Sequence, residues 1–146
     1  GERSPYLDPD TRGAWVNLSL AHTQADLVRA VLEGVAFSLR TAMEIVSEIT
    51  PVHQLLATGG GARSNTWLRI LADILQAELI APAAEEGAAY GAAILAMVGV
   101  GAYPNLEAAF EILPQDSKVV QPQADPAYET AFERYSLLYE ALKAVR

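Results

Sequence analysis

Three consecutive glycines, Gly59 to Gly61, follow a short apolar run and precede a stretch that can form a helix. This order is typical of a strand, a tight turn and a helix N-terminus. Glycine can adopt a positive φ and lets a ligand lie directly against the backbone. The first N–H groups of a helix have no intrahelical partner and favour an anion or a polar ring. The segment therefore predicts a cradle for a nucleotide or a phosphate group.

The residues after the glycines exclude two known phosphate-binding motifs, but they do not establish that the segment binds a ligand. Ser64 or Asn65 can cap the following helix. The segment is not a Walker A loop, because no Gly-Lys-Ser/Thr follows, and it lacks the last glycine of a G-x-G-x-x-G fingerprint. A strand-to-helix turn that binds no ligand is an equal alternative at this point, since glycine turns are common in loops.

Composition excludes several classes of function. The chain has 146 residues, 51% of them hydrophobic, which suggests one domain with a sizeable core. A net charge of −8 argues against nucleic acid as a partner. Without cysteine, and with two isolated histidines, the sequence shows no disulfide, thiolate or metal-binding pattern. No apolar run is long enough to span a membrane, and no signal peptide is evident, so we expect a soluble cytoplasmic protein.

Strands alternate with helices along the sequence. Alternating apolar residues predict a strand over 14–20, and a spacing of three and four predicts a long helix over 24–49. The remaining predicted strands are 53–57, 78–81 and 118–121, and the remaining predicted helices are 64–75, 84–98, 105–112 and one beginning at Asp125-Pro126. This alternation indicates an α/β architecture with parallel strands. So few strands indicate a sheet that is incomplete or borrows a strand from a partner.

Two helices have unusual surfaces. The helix over 84–98 is rich in glycine and alanine, which favours close packing or one wall of a flat pocket. The last helix carries aromatic residues at helical spacing, from Tyr128 to Tyr139, which predict packing in the core across the sheet. Gly34, inside the long helix, predicts close approach of another backbone.

Several segments, in order, resemble the FGGY family of carbohydrate kinases. Residues 1–13 resemble the family's GERSP-x-x-DP-x-x-RG segment, and residues 58–64 resemble its adenine-binding turn. Residues 30–37, the small-residue helix 87–93 and the closing helix are also similar, so the resemblance covers essentially the whole chain. The xylulokinase subfamily is the most similar, with gluconokinases second. Asn17 stands where the family usually has glycine.

The resemblance implies an α/β protein of ribonuclease H-like, actin-like ATPase fold that lacks its opening strands. Residues 1–146 would form one domain, most of the C-terminal, nucleotide-side domain of a kinase that uses ATP and Mg²⁺ to phosphorylate a sugar. The resemblance places the catalytic base, the sugar pocket and the phosphate loops outside this sequence. No catalytic or metal-binding residue is therefore assigned, and we expect the chain to be inactive alone.

The resemblance also assigns a nucleotide site. Gly60, Gly61 and Ala62 would lie against the adenine or its ribose. Asn65 would offer its amide to an adenine nitrogen, with Ser64 as a weaker candidate.

We expect no nucleic-acid or membrane partner. An unpaired strand edge near residues 14–20 predicts a homo-oligomer. A non-enzymatic assembly module, or another actin-like ATPase, is an alternative function.

Overall fold

The computed structural model describes residues 1–82, 87–111 and 116–145. Within these ranges the elements are α1 (Gln24–Ser47), β1 (Gln54–Leu56), α2 (Asn65–Leu75), β2 (Glu78–Pro82), α3 (Gly87–Gly99), α4 (Leu106–Phe110), β3 (Ser117–Val120) and α5 (Pro126–Lys143). A 3₁₀ turn, Gly60–Arg63, joins β1 to α2. This order confirms the predicted alternation, except in the first segment. Residues 84–86 and 112, the predicted ends of two helices, lie outside the described residues.

The three strands form one sheet in the order β1-β2-β3. Strands β1 and β2 are parallel, with Leu55 opposite Leu79, as the alternation of strands and helices predicted. Strand β3 runs antiparallel to β2, with Val119 opposite Ile80. Because α2 connects the two parallel strands, its N-terminus lies where β1 ends.

Helix α2 supplies the centre of the core. Its apolar side chains recur at helical spacing, and Leu68 and Ile74 are fully buried. They belong to one cluster with Leu79 of β2 and Val120 of β3, so α2 covers one face of the sheet. Burying each such side chain contributes about 1.5–3 kcal/mol, which fixes the position of α2 on the strands.

Helix α5 packs against α1 through aromatic side chains. The Phe37 ring lies 6.3 Å from Tyr128, 5.8 Å from Phe132 and 5.4 Å from Tyr135, measured between ring centroids. The Arg40 guanidinium lies 4.2 Å from the Phe132 centroid and donates hydrogen bonds of 2.9 and 2.7 Å to the Glu129 carboxylate. The aromatic side chains of α5 are therefore packed, as we predicted. Their ring contacts are with Phe37 of α1, however, whereas we predicted that the helix docks across the sheet.

A polar network joins the same two helices. The Tyr128 hydroxyl accepts a hydrogen bond of 2.9 Å from Arg29 and donates one of 3.1 Å to Glu33. Burial raises the pKa of Tyr128, so its hydroxyl stays protonated at neutral pH and keeps both roles.

The predicted strand over 14–20 is wrong: this segment has no regular structure. Asn17 has a φ of 63°, which breaks the extended run, and no described strand pairs with the segment. Alternating apolar residues form a strand only where a neighbouring strand accepts their backbone hydrogen bonds. The expectation for Gly34 is also wrong, since an added Cβ there would meet nothing within 4 Å.

Candidate functional site

The glycine turn leaves the sheet directly after β1. The Ala57 N–H still donates to the Ile80 carbonyl at 2.8 Å, so the chain follows β2 up to that point. Gly59 then has φ 82° and ψ −175°, a conformation that is essentially restricted to glycine. The Ala62 N–H donates to the Gly59 carbonyl at 3.0 Å and closes the 3₁₀ turn.

Ser64 is the N-cap of α2, and Asn65 is the first residue of the helix. The Ser64 hydroxyl accepts a hydrogen bond of 3.2 Å from the Trp67 N–H. This contact satisfies one of the unpaired donors of the first helical turn. The structure thus decides between the two capping residues that the sequence left open.

A cavity of about 420 Å³ opens beside the turn. This volume lies within the range of roughly 300–1,000 Å³ that is usual for small-molecule sites. Its walls come from the carboxyl ends of β1 and β2, the start of β3 and the turn itself, and the lining residues are Ala57, Thr58, Gly59, Ala62, Arg63, Asn65, Ala81, Pro82, Asp116, Ser117 and Lys118. Ligands of open α/β sheets bind at this edge, where parallel strands end.

The predicted site residues do not all have the same relation to this cavity. Ala62 and Asn65 line it, whereas Gly60, Gly61 and Ser64 do not. Gly60 faces open space, because an added Cβ would meet nothing within 4 Å. At Gly61 an added Cβ would lie 3.1 Å from both Cδ1 and Nε1 of Trp67, so the indole packs against this glycine. The Ser64 hydroxyl is engaged in the cap.

Sequence reasoning missed the contribution of β3. Lys118 and Asp116 line the cavity, and the Lys118 ammonium donates a hydrogen bond to Oδ1 of Asn65. The predicted strand 118–121 contained Lys118, but only the pairing of β3 with β2 brings it to the turn.

A larger cavity of about 1370 Å³ lies elsewhere, between the N-terminal segment, α1 and α5. Apolar residues dominate its walls, among them Trp15, Leu18, Val31 and Val35. The glycine turn does not contribute to it. We assign the candidate site to the smaller cavity, because there the turn, a helix N-terminus and polar side chains converge.

In the part of the chain that the structure describes, no three His, Asp or Glu side chains are grouped where they could hold a metal ion. Among the same residues, no helix combines the length and apolar character that crossing a membrane requires.

Comparison with known proteins gives one consistent family. The pattern of the "FGGY family of carbohydrate kinases, C-terminal domain" matches residues 1–100. The chain is 36% identical to the xylulose kinase of Bacillus subtilis strain 168 over 98% of its own length and 29% of that protein. It is 35% identical to the gluconokinase of the same organism over 77% of its own length and 22% of that protein.

Solved structures agree with the sequence comparison. The crystal structure of a xyloylose kinase from Brucella ovis superposes with a TM-score of 0.82 at 34% identity. The match covers 97% of this chain and 30% of that protein. The chain therefore spans less than a third of the length of the relatives it matches.

Proposed function

Because the chain belongs to the FGGY family of carbohydrate kinases, we propose that it forms the nucleotide-binding part of an ATP-dependent sugar kinase. Its α/β fold is that of the family's C-terminal domain, the actin-like ATPase fold, as the solved relatives show. We further propose that residues 1–146 constitute a single domain. The bacterial relatives and the need for ATP support a cytoplasmic location.

One observation carries the nucleotide assignment: Gly59, Ala62 and Asn65 border a cavity at the carboxyl ends of β1 and β2. Backbone without a bulky side chain at Gly60 lets a flat ring approach the turn closely. Asn65 supplies a carboxamide that can hydrogen-bond to a ring nitrogen. Gly61 contributes indirectly, since its lack of a side chain lets Trp67 pack beneath the turn.

The proposed reaction is transfer of the γ-phosphoryl group of ATP to a sugar hydroxyl. D-xylulose is the first candidate acceptor, since the B. subtilis and B. ovis relatives are named xylulose or xyloylose kinases. Gluconate is the second candidate, because the chain has a similar sequence identity, 35%, to a gluconokinase. Phosphoryl transfer depends mainly on positioning and electrostatic stabilisation. The residues of this chain contribute positioning, by holding the base of ATP in a fixed orientation.

Mg²⁺ neutralises the charge of ATP phosphates in kinases. Among the described residues no three His, Asp or Glu side chains are grouped to hold a metal ion, and the family resemblance places the phosphate loops outside this chain. We therefore propose that Mg²⁺ acts with the ATP phosphates outside this chain and assign no step to it here.

The test uses the longest polypeptide that the coding region of this chain encodes. Phosphorylation of D-xylulose and of gluconate is followed through ADP release. Gly61→Val and Asn65→Ala should each raise the KM for ATP at least severalfold, while the KM for the sugar stays the same. Lys143→Met, on the last turn of α5, is the control. Unchanged affinity for ATP in both site variants would refute the nucleotide assignment and favour a non-enzymatic assembly module.

We expect the 146-residue chain alone to be inactive. The family resemblance places the catalytic base and the sugar pocket outside this chain. Binding of ATP should also be weak, because only the base-binding side of the site is present. Sugar-dependent ADP formation by the pure chain, or a low-micromolar dissociation constant for ATP in calorimetry, would contradict this expectation.

A further inference from the structure

Lys118 reaches the nucleotide cavity because of the geometry of β3. Side chains alternate between the two faces of a strand, so Lys118 and Val120 point to the same face. Val120 is buried in the core under α2. Lys118 pairs with Ala81 one step closer to the cavity. There its ammonium meets Asn65, the first residue of α2, and donates to Oδ1.

The chemistry of the two groups decides the orientation of the Asn65 carboxamide. A lysine ammonium has three donors and no acceptor, whereas a carboxamide has one oxygen acceptor and one NH₂ donor. Lys118 can therefore hydrogen-bond only to the oxygen. This leaves the Nδ2 group as the part of Asn65 available to a ligand.

We propose that Lys118 is a positioning residue that makes Asn65 a hydrogen-bond donor to a ring nitrogen of a purine. This inference rests on the proposed nucleotide site and names what that site recognises. A base held in this way needs an acceptor nitrogen in its ring, and its 6-amino group is not required for the contact with Asn65.

We do not expect the charge of Lys118 to stabilise the folded chain. The N-terminus of α2 carries the positive end of the helix dipole, so a cation beside it is unfavourable. Removing the charge should leave the thermal unfolding temperature unchanged or slightly raised. A loss of ligand binding in such a variant then reports on the site and not on folding.

The first experiment needs no ligand. The ¹⁵N relaxation of the Asn65 side-chain NH₂ is measured by NMR in the chain and in three variants. Lys118→Met should make this group clearly more mobile, while Lys118→Arg, which keeps a donor, should not. Lys143→Met is the matched control, since it removes a lysine that lies over the Tyr139 ring. Equal mobility in the chain and in Lys118→Met would overturn the proposal.

The second experiment titrates the chain with millimolar adenosine, purine riboside, which lacks the 6-amino group, and ADP. Adenosine and purine riboside should bind with similar affinity. Lys118→Met should weaken all three ligands alike, by about 3- to 10-fold, as expected for loss of one oriented hydrogen bond. The effect should vanish in an Asn65→Ala background, because the two residues act as one unit.

Several results would contradict the inference. Much weaker binding of purine riboside would mean that Asn65 accepts a hydrogen bond from the 6-amino group. An effect of Lys118→Met on ADP alone would mean that the lysine contacts phosphate. If no ligand shifts the signals of Ala62 and Asn65, the proposed nucleotide site itself fails, while the ligand-free experiment still decides whether Lys118 orients Asn65.

Discussion

Gly59 is the residue that makes the turn possible. Its φ of 82° and ψ of −175° lie in a region that residues with a Cβ almost never occupy. Gly60, the next residue, does not have a positive φ, and a Cβ there would meet nothing within 4 Å. The backbone geometry thus requires glycine at Gly59 but not at Gly60.

We expect Gly59→Ala to lower the free energy of unfolding by about 1–3 kcal/mol, the usual cost of a strained backbone conformation. Gly60→Ala is the matched control and should change it little, or raise it slightly by restricting the unfolded chain. Urea denaturation of both variants measures the difference. Equal effects of the two substitutions would contradict this account of the turn.

Ser64 is a candidate for a contact with adenine, but in the structure its hydroxyl is already hydrogen-bonded within the helix cap. Because its hydroxyl caps α2 at the Trp67 N–H, we expect Ser64→Ala to destabilise the chain by about 1 kcal/mol. Ser64→Asp keeps an oxygen acceptor and should retain the stability. Thermal unfolding of both variants tests this. A stable Ser64→Ala variant with lost ATP affinity would instead favour a direct contact with the nucleotide.

Among the elements, we expect the ion pair between Arg40 of α1 and Glu129 of α5 to depend on pH. The hydrogen bonds from Arg40 lower the pKa of the Glu129 carboxyl below its ordinary value of 4.5. Because the pKa is lowered in the folded chain, the ion pair adds its full contribution to the free energy of unfolding at pH values above the ordinary pKa. This contribution is lost as the pH falls through the lowered pKa. Since the Glu129 side chain is half exposed, the contribution at neutral pH should stay within about 1 kcal/mol.

Glu129→Gln should therefore be less stable than the parent chain at pH 7, and this difference should shrink as the pH falls below 4.5. Urea denaturation across this range is the measurement. Glu133→Gln, one turn further along α5, is the control for removing a carboxylate from the same helix. A difference between Glu129→Gln and the parent that stays constant with pH would contradict the role of the ion pair.

The elements that the sequence predicted well are those that local pattern determines. The start of α1 follows from a capping box, in which the Thr23 hydroxyl accepts from the Asp26 N–H and the Asp26 carboxylate accepts from the Thr23 N–H. Helix α5 begins after Asp125, whose carboxylate accepts from the Ala127 N–H, with Pro126 in the first turn. The residues of such caps lie within a few positions of each other, so they can be recognised in the sequence alone.

What the sequence could not predict depends on contacts between distant segments. Residues 14–20 have the alternation of a strand, but strand formation requires a pairing partner. Lys118 enters the site only because β3 pairs antiparallel with β2. In each case the deciding interaction joins segments that no local pattern relates.

At the scale of the whole molecule, the chain exposes more surface than its mass requires. Its accessible surface is 10085 Å², whereas a compact monomer of 15.6 kDa exposes about 7,300 Å². Large apolar side chains account for part of this surface, and Trp15, Leu18, Val31 and Val35 are about half exposed around the larger cavity. The excess of about 2,800 Å² is more than three times the roughly 800 Å² that each partner buries in a standard protein interface. We therefore propose that the isolated chain associates with itself through the larger cavity, which we call the apolar cleft.

The prediction is a particle heavier than the 15.6 kDa monomer in multi-angle light scattering, with a mass that rises with concentration. Val31→Asp combined with Val35→Asp places two charges in the cleft, where burial would be costly, and should shift the chain towards the monomer. Val100→Asp is the matched control: Val100 is highly exposed but does not line the cleft. Circular dichroism checks that helix content is retained. A monomeric parent chain at several hundred micromolar, or an equal effect of Val100→Asp, would show that the cleft does not mediate association.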